Sequence, residues 1–440
     1  MRLRVTLVAL ALAVTACGPT TPSAVQCTVP TANPVVHTSL TAGEVWATGI
    51  HEVPSSLALH TANASLTIAP CTEVRLGDGA SLEFTDGARL VAEGTQTNPI
   101  RFLRKNASLA WGHVAAFSAG SASLSYAALE GGGAAELAGA SLGARFDGQV
   151  KVDHVTVTGS AGLGVAMMGS RFAAASTDLV VSGSGSYPLY IGADSLTTAP
   201  SGAYTGNAVD EVLLQSIDTA AYANDKPIYE AVVMHDLGVP YRVGKTSGDI
   251  RIGDGYADTT AGTLTIEAGV TVKFAPGHSG RILMSAALVN GTWQSRGALI
   301  IAGTADRPVT LTSGAANPAP GDWMGLYFAN VVAPASRIDH LDISYAGGDS
   351  GTIGVCKASN SATNYDADCS IIFSLEGDLG TSQIVTNTRF SNGLGCGVYR
   401  GWHGTNVDFR PTNTFVGLAG CSQSNIPPQG QQTCDSSSCQ

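Results

Sequence analysis

The sequence predicts an all-β chain coiled on itself as a solenoid, and three observations carry that prediction. The first is a block at 262–313 in which Leu264, Ile266, Val270, Val272 and Phe274 fall two apart around a turn at Ala268-Gly269. Alternation of that kind puts apolar side chains on one face of short strands, and no helical period fits it. The second is that the block continues at once, with Leu299, Ile301, Val309 and Leu311 flanking a turn at 303–308. The third is an earlier copy. Leu66-Thr-Ile68 matches Leu264-Thr-Ile266, Gly94-Thr-Gln-Thr-Asn-Pro99 matches Gly303-Thr-Ala-Asp-Arg-Pro308, and Trp111-Gly112 matches Trp323-Met324-Gly325. The spacing between matched residues drifts along the chain, as small insertions between repeated strands require.

These motifs resemble those of bacterial surface lipoproteins with right-handed parallel β-helix (pectin-lyase-like) domains. The signatures are L-T-I-x-x-G-V-x-V-x-F, G-T-x-x-x-P-I-x-F and P-G-D-W. The second copy fits them well, including Pro320-Gly-Asp-Trp323, with Val309 and Leu311 in place of the isoleucine and phenylalanine of the second signature. The first departs from them, since Cys71 and Thr72 replace the turn glycine and valine and Trp111 lacks the P-G-D lead-in. The resemblance covers about half of the chain beyond the N-terminal leader and implies a fold without naming a reaction.

Taken in order, the chain opens with Arg2 and Arg4 ahead of an apolar run at 5–14 and the tetrapeptide Val14-Thr-Ala-Cys17. The run is too short to span a bilayer, and small residues before Cys17 suit a peptidase site. The pattern resembles a lipoprotein signal, 1–16, with Cys17 as the lipidated residue. By that resemblance Cys17 carries diacylglyceryl and an N-acyl chain such as palmitate, each buried methylene adding about 0.8 kcal/mol to membrane anchoring. Gly18 follows, with no aspartate to resemble an inner-membrane retention signal, so an outer-membrane lipoprotein, periplasmic or surface-exposed, is expected. Residues 17–42 are rich in Pro, Thr, Ser and Ala and read as an extended tether.

From 43 to 418 apolar segments of strand length alternate with Gly, Ser, Asn, Asp and Thr. With 53 glycines and only 13% charged residues, tight turns around a narrow apolar core are expected rather than helices. The motif restarts near Val239-Pro240, which divides the body into a first half, 43–238, and a second, 239–418. These form one rod or two abutting half-rods, followed by a Cys/Ser/Gln-rich tail at 419–440. With coils of roughly 22 residues, roughly 16 or 17 coils are expected, about 80 Å long at about 4.8 Å per strand.

Nine cysteines become eight once Cys17 carries lipid, and an even number in an exported chain reads as disulfides. Spacing favours sequence neighbours: Cys27 with Cys71, Cys356 with Cys369, Cys396 with Cys421 and Cys434 with Cys439. Such bonds would staple the open ends of a solenoid, whose strand edges need covering. A metal cluster is the rival reading, against which stand the absence of C-x-x-C pairs and the scatter of the histidines.

The formal net charge is −11, and −13 without Arg2 and Arg4. Such a chain is not built to bind nucleic acid, and its expected membrane partner is reached through lipid rather than through charge. Enzymes of this shape are lyases, with aspartates on calcium beside a base, or hydrolases, with N-T-D, D-D and G-H-G motifs supplying paired carboxylates. Here Asn387-Thr388-Arg389 breaks the first motif, no adjacent Asp pair exists, and Trp402-His403-Gly404 keeps two letters of the last. No catalytic residue is assigned and no cofactor is expected.

Weaker constellations remain. Arg337, Asp339, His340 and Asp342 share one strand and read as a solvated charge cluster before they read as catalytic. Asn364, Asp366 and Asp368, at alternate positions, are candidate calcium ligands. Trp323, Tyr327, Tyr345 and Trp402 are candidate contacts for a glycan or a protein, since aromatic rings offer an apolar face with a polar edge. The functional expectation is a non-catalytic, lipid-anchored envelope scaffold or adhesin that binds polysaccharide or protein. The alternative is a divergent polysaccharide lyase or glycoside hydrolase.

Overall fold

The computed structural model describes residues 27–29, 33–134, 136–214, 226–245, 248–256, 260–277, 280–352, 356, 366–427 and 439–440. Strands hold 44% of the chain and helical turns 4%, so the fold is all-β. Among the described residues, pairing between strands is parallel except in one hairpin, Ala286–Val289 with Thr292–Ser295.

One sheet of 13 strands runs from Leu57–Leu59 to Thr414–Val416. Its neighbours are parallel, so the chain must leave the sheet after each strand and return from the same end. The return path is itself stranded. Between Leu82–Phe84 and Val114–Phe117 the chain forms Arg89–Glu93 and Ile100–Arg104, which belong to a 12-stranded sheet. In the second half the return passes through two separate five-stranded sheets. This travel is compatible with a solenoid. The 13-stranded sheet also crosses the Val239-Pro240 restart, since Val212–Leu214 pairs with Tyr241–Val243 and that strand with Thr271–Phe274.

Among the described residues thirteen strands stack where 16 or 17 coils were expected. Register explains the difference. Leu142 pairs with Val165, close to the expected step, but Ile343 pairs with Phe390, more than twice as far along the chain. Alternation reports strands and is silent on the length of the loops between them.

The core follows from the alternation. Ser65–Ile68, Glu73–Leu76 and Thr271–Phe274 all bury every second side chain. In-register pairing sets Leu264 on Leu299, Ile266 on Ile301 and Val272 on Leu311. Each such residue withdrawn from water contributes about 1.5–3 kcal/mol, and the apolar cluster runs unbroken from Trp46 to Phe409.

The two motif copies fold alike. Gly269 turns at φ 89° and its counterpart Cys71 at φ 63°, both left-handed. The Thr95 hydroxyl accepts from the Asn98 amide at 3.1 Å, as Thr304 does from Arg307. The buried Trp111 and Trp323 indoles each donate at 2.8 Å, to the carbonyls of Glu130 and Ser344. The copies nevertheless occupy different sheets. Glu73–Leu76 lies in the 12-stranded sheet, whereas its counterpart Thr271–Phe274 lies in the 13-stranded one, so the second copy enters one sheet out of step.

Disulfides join Cys27 to Cys71, Cys369 to Cys396 and Cys421 to Cys439. The first is the expected pair. The other two replace the expected Cys356–Cys369, Cys396–Cys421 and Cys434–Cys439 pairs. Cys356 is itself disulfide-bonded, and Cys434 lies outside the described residues. Neighbours in sequence are not neighbours in a stacked chain: register sets Cys369 directly against Cys396, and the Gly397 amide donates to the Cys421 carbonyl one strand further on.

Candidate functional site

The chain turns corners between strands, and a residue at a sharp corner adopts φ above zero, which non-glycine side chains resist. Such residues align into a column when strands stack in register. Tyr126, His154 and Asp178 form one, at φ 41°, 53° and 50°. Ser125 pairs with Asp153, and Asp153 with Thr177. The Tyr126 and His154 rings stack at 4.5 Å with 15° between planes. The imidazole is held between two carboxylates, Nδ1 at 2.7 Å from Asp153 Oδ1 and Nε2 at 3.5 Å from Asp178 Oδ2. All three side chains reach solvent, and their ligating atoms lie within 4.8 Å of one another.

The second half repeats this corner. Arg337-Ile-Asp-His-Leu341 mirrors Lys151-Val-Asp-His-Val155, and His340 stands at φ 51° with Nδ1 at 3.2 Å from Asp339 Oδ2. The next strand supplies Thr386 and, at φ 49°, Asn387. Both donate to Asp339 Oδ1 at 2.8 Å, Thr386 through its hydroxyl and Asn387 through its amide. Burial pushes the Asp339 carboxyl up, but these donors and His340 outweigh it and hold it below the ordinary carboxylate range. The charge cluster read from sequence is therefore a hydrogen-bonded corner, with the Asp339 oxygens already in use.

The proposed aromatic contacts divide. Trp323 and Trp402 are 0% and 1% exposed and belong to the core. This corrects their reading as surface rings. Trp323 stacks on Phe274 at 4.1 Å because the turn through Gly321, at φ 83°, swings the indole inward, and Asp322 fixes that turn by accepting from Ser313 and from the Ala319 amide. Trp402 donates to the Thr405 carbonyl at 3.1 Å. Tyr327 and Tyr345 are half-buried, Tyr327 beneath the Arg281 guanidinium at 5.8 Å.

Of the three calcium candidates, Asn364 lies outside the described residues. Asp366 is exposed, while Asp368 accepts from the Ser350 amide at 2.8 Å and burial raises its carboxyl above the usual range. Asp368 thus serves as a turn acceptor.

Two clefts are small beside the roughly 300–1,000 Å³ of ligand pockets. One, about 250 Å³, is lined by Asn330, Val332, Leu379 and a single carboxylate, Asp378, which accepts from Thr405 and Gly380. The other, about 200 Å³, holds Asp147, Arg171, Asp194 and Lys226, with Lys226 at 3.9 Å from Asp147 and Arg171 at 3.1 Å from Glu230.

Sequence reasoning missed Arg400, which is 1% exposed at the C-terminal end. It donates to the carbonyls of Ser424 and Val407, to Asn406 and to the Gln440 side chain. Burial lowers its pKa to about 10. The residue ties the last strands to the chain end, and a lone arginine in an apolar run gives no sign of that. Also missed was the Asp-His duplication, visible as V-D-H-V and I-D-H-L had the two halves been compared beyond the glycine motifs. Comparison with protein-family models, with curated proteins and with solved structures finds no match.

Proposed function

We propose that this chain is a non-catalytic, lipid-anchored envelope protein, a right-handed parallel β-helix that presents a long, regular flank to polysaccharide or to another envelope protein. The observation that carries the reading is the 13-stranded parallel sheet stacked over one continuous core. Its ends are tied off. Cys27–Cys71 holds the N-terminal segment to the first motif turn, and Cys421–Cys439 brings Gln440 back to exchange backbone hydrogen bonds with Gln423.

Four aspartates support presentation rather than catalysis, since they fix corners and turns. Asp322, Asp339, Asp378 and Asp408 each accept two or more hydrogen bonds from the chain's own groups. The anchor rests on Val14-Thr-Ala-Cys17 and the acyl chains that this sequence resembles a signal for.

Fractionation of cells expressing the full chain tests the anchor. The wild-type protein should sediment with membranes and take up labelled palmitate. Cys17→Ala should leave it unlabelled, with most of the protein out of the membrane fraction. Equal membrane partition of both proteins would remove the anchor from the account.

A further inference from the structure

The two Asp-His corners differ in what the neighbouring strands supply: Tyr126 and Asp178 at the first, Gly303 and Asn387 at the second. Asn387 carries an amide nitrogen that donates to Asp339 at 2.8 Å. Asp178, at the same place in the other corner, has no hydrogen to give, and its Oδ2 lies 3.5 Å from His154 Nε2. A neutral imidazole has one N–H. With that proton on Nδ1 toward Asp153 at 2.7 Å, the Nε2 lone pair faces a carboxylate oxygen. In that tautomer two electron-rich atoms stand at a spacing that a bound cation can bridge.

We propose that His154 Nε2 and Asp178 Oδ2 bind a first-row divalent cation of the zinc class. Metal–nitrogen and metal–oxygen bonds of about 2.0–2.2 Å at near-tetrahedral angles set two ligand atoms roughly 3.4 Å apart, which is the spacing found. Asp153 is the positioning residue, since a carboxylate on the far ring nitrogen fixes the tautomer and makes the ligand nitrogen more basic. Tyr126, stacked flat on the ring, holds its plane. An imidazole ligand selects against calcium and magnesium. The exposed position leaves the remaining coordination sites to water. The second corner offers no matching pair, because Asn387 presents an amide nitrogen that donates to Asp339 where the first corner has a carboxylate. This inference does not depend on the scaffold reading.

Calorimetric titration of the metal-free, purified full-length chain with zinc chloride tests it, alongside Asp178→Asn, Asp153→Asn and His154→Ala. Wild type should bind an equivalent of zinc that Asp178→Asn and His154→Ala weaken by more than about 10-fold, while Asp153→Asn weakens it about 10–100-fold. Calcium should give no heat at the same concentration. Asp178 is exposed, and asparagine tolerates its left-handed backbone, so melting curves of Asp178→Asn in chelator should match wild type. If one of Asp178→Asn and His154→Ala fails to fold, the other decides: weakened zinc binding supports the assignment, and unchanged binding overturns it. Wild type and Asp178→Asn binding zinc equally, or wild type binding none, would also overturn it, the latter leaving a second imidazole proton as the bridge.

Discussion

At the scale of single residues, the chain shows how a residue type can be read correctly and placed wrongly. Trp323 follows a turn glycine and an aspartate in an otherwise small-residue stretch, which reads as exposed. The Gly321 turn and the Asp322 acceptor send it into the core against Phe274 instead. Trp323→Ala should therefore destabilise the protein by about 3–5 kcal/mol, the usual cost of emptying an aromatic core site, as read from urea unfolding. A change below about 1 kcal/mol would mean that the ring is solvated after all. Cys71 makes the complementary point. The departure from the glycine motif was legible, but only the left-handed φ of 63° and the bond to Cys27 show a turn held by a staple where its twin uses glycine. The Asp-His corners were legible as charge in one half only, because a strand-by-strand reading does not compare residues that stacking brings into register.

At the scale of elements, alternation was enough to find the strands and their buried faces. It was not enough to find their partners. Leu264 and Ile266 announce an inward face by themselves, whereas the pairing of Cys369 with Cys396 depends on how much chain intervenes between stacked strands. Spacing in sequence favoured Cys356 for Cys369, and register overrules it. A non-reducing digest should yield a peptide joining Cys369 to Cys396, and Cys369→Ala/Cys396→Ala should lower stability by about 2–4 kcal/mol through the loop it frees. A Cys356–Cys369 peptide would contradict the register of these strands. Arg400 belongs to this scale as well, since its partners at Ser424 and Gln440 arrive only when the chain end folds back along the last strands.

At the scale of the whole molecule, parallel sheets stacked over one core give a surface that is long and regular, and the two clefts described, about 250 and 200 Å³, are smaller than ligand pockets. The internal copies were legible and the step of one sheet between them was not, because matching motifs carry no record of which sheet each strand joins. A surface of this kind is suited to holding an extended partner rather than to enclosing a small one. The most direct test of that account incubates the full-length protein with acidic and neutral polysaccharides, with and without calcium, and reads both retention and new unsaturated or reducing ends. Presentation without catalysis predicts retention on at least one polymer and no new ends. New chain ends that disappear in Asp339→Ala or Asp342→Ala would contradict it and make the second half a catalytic site.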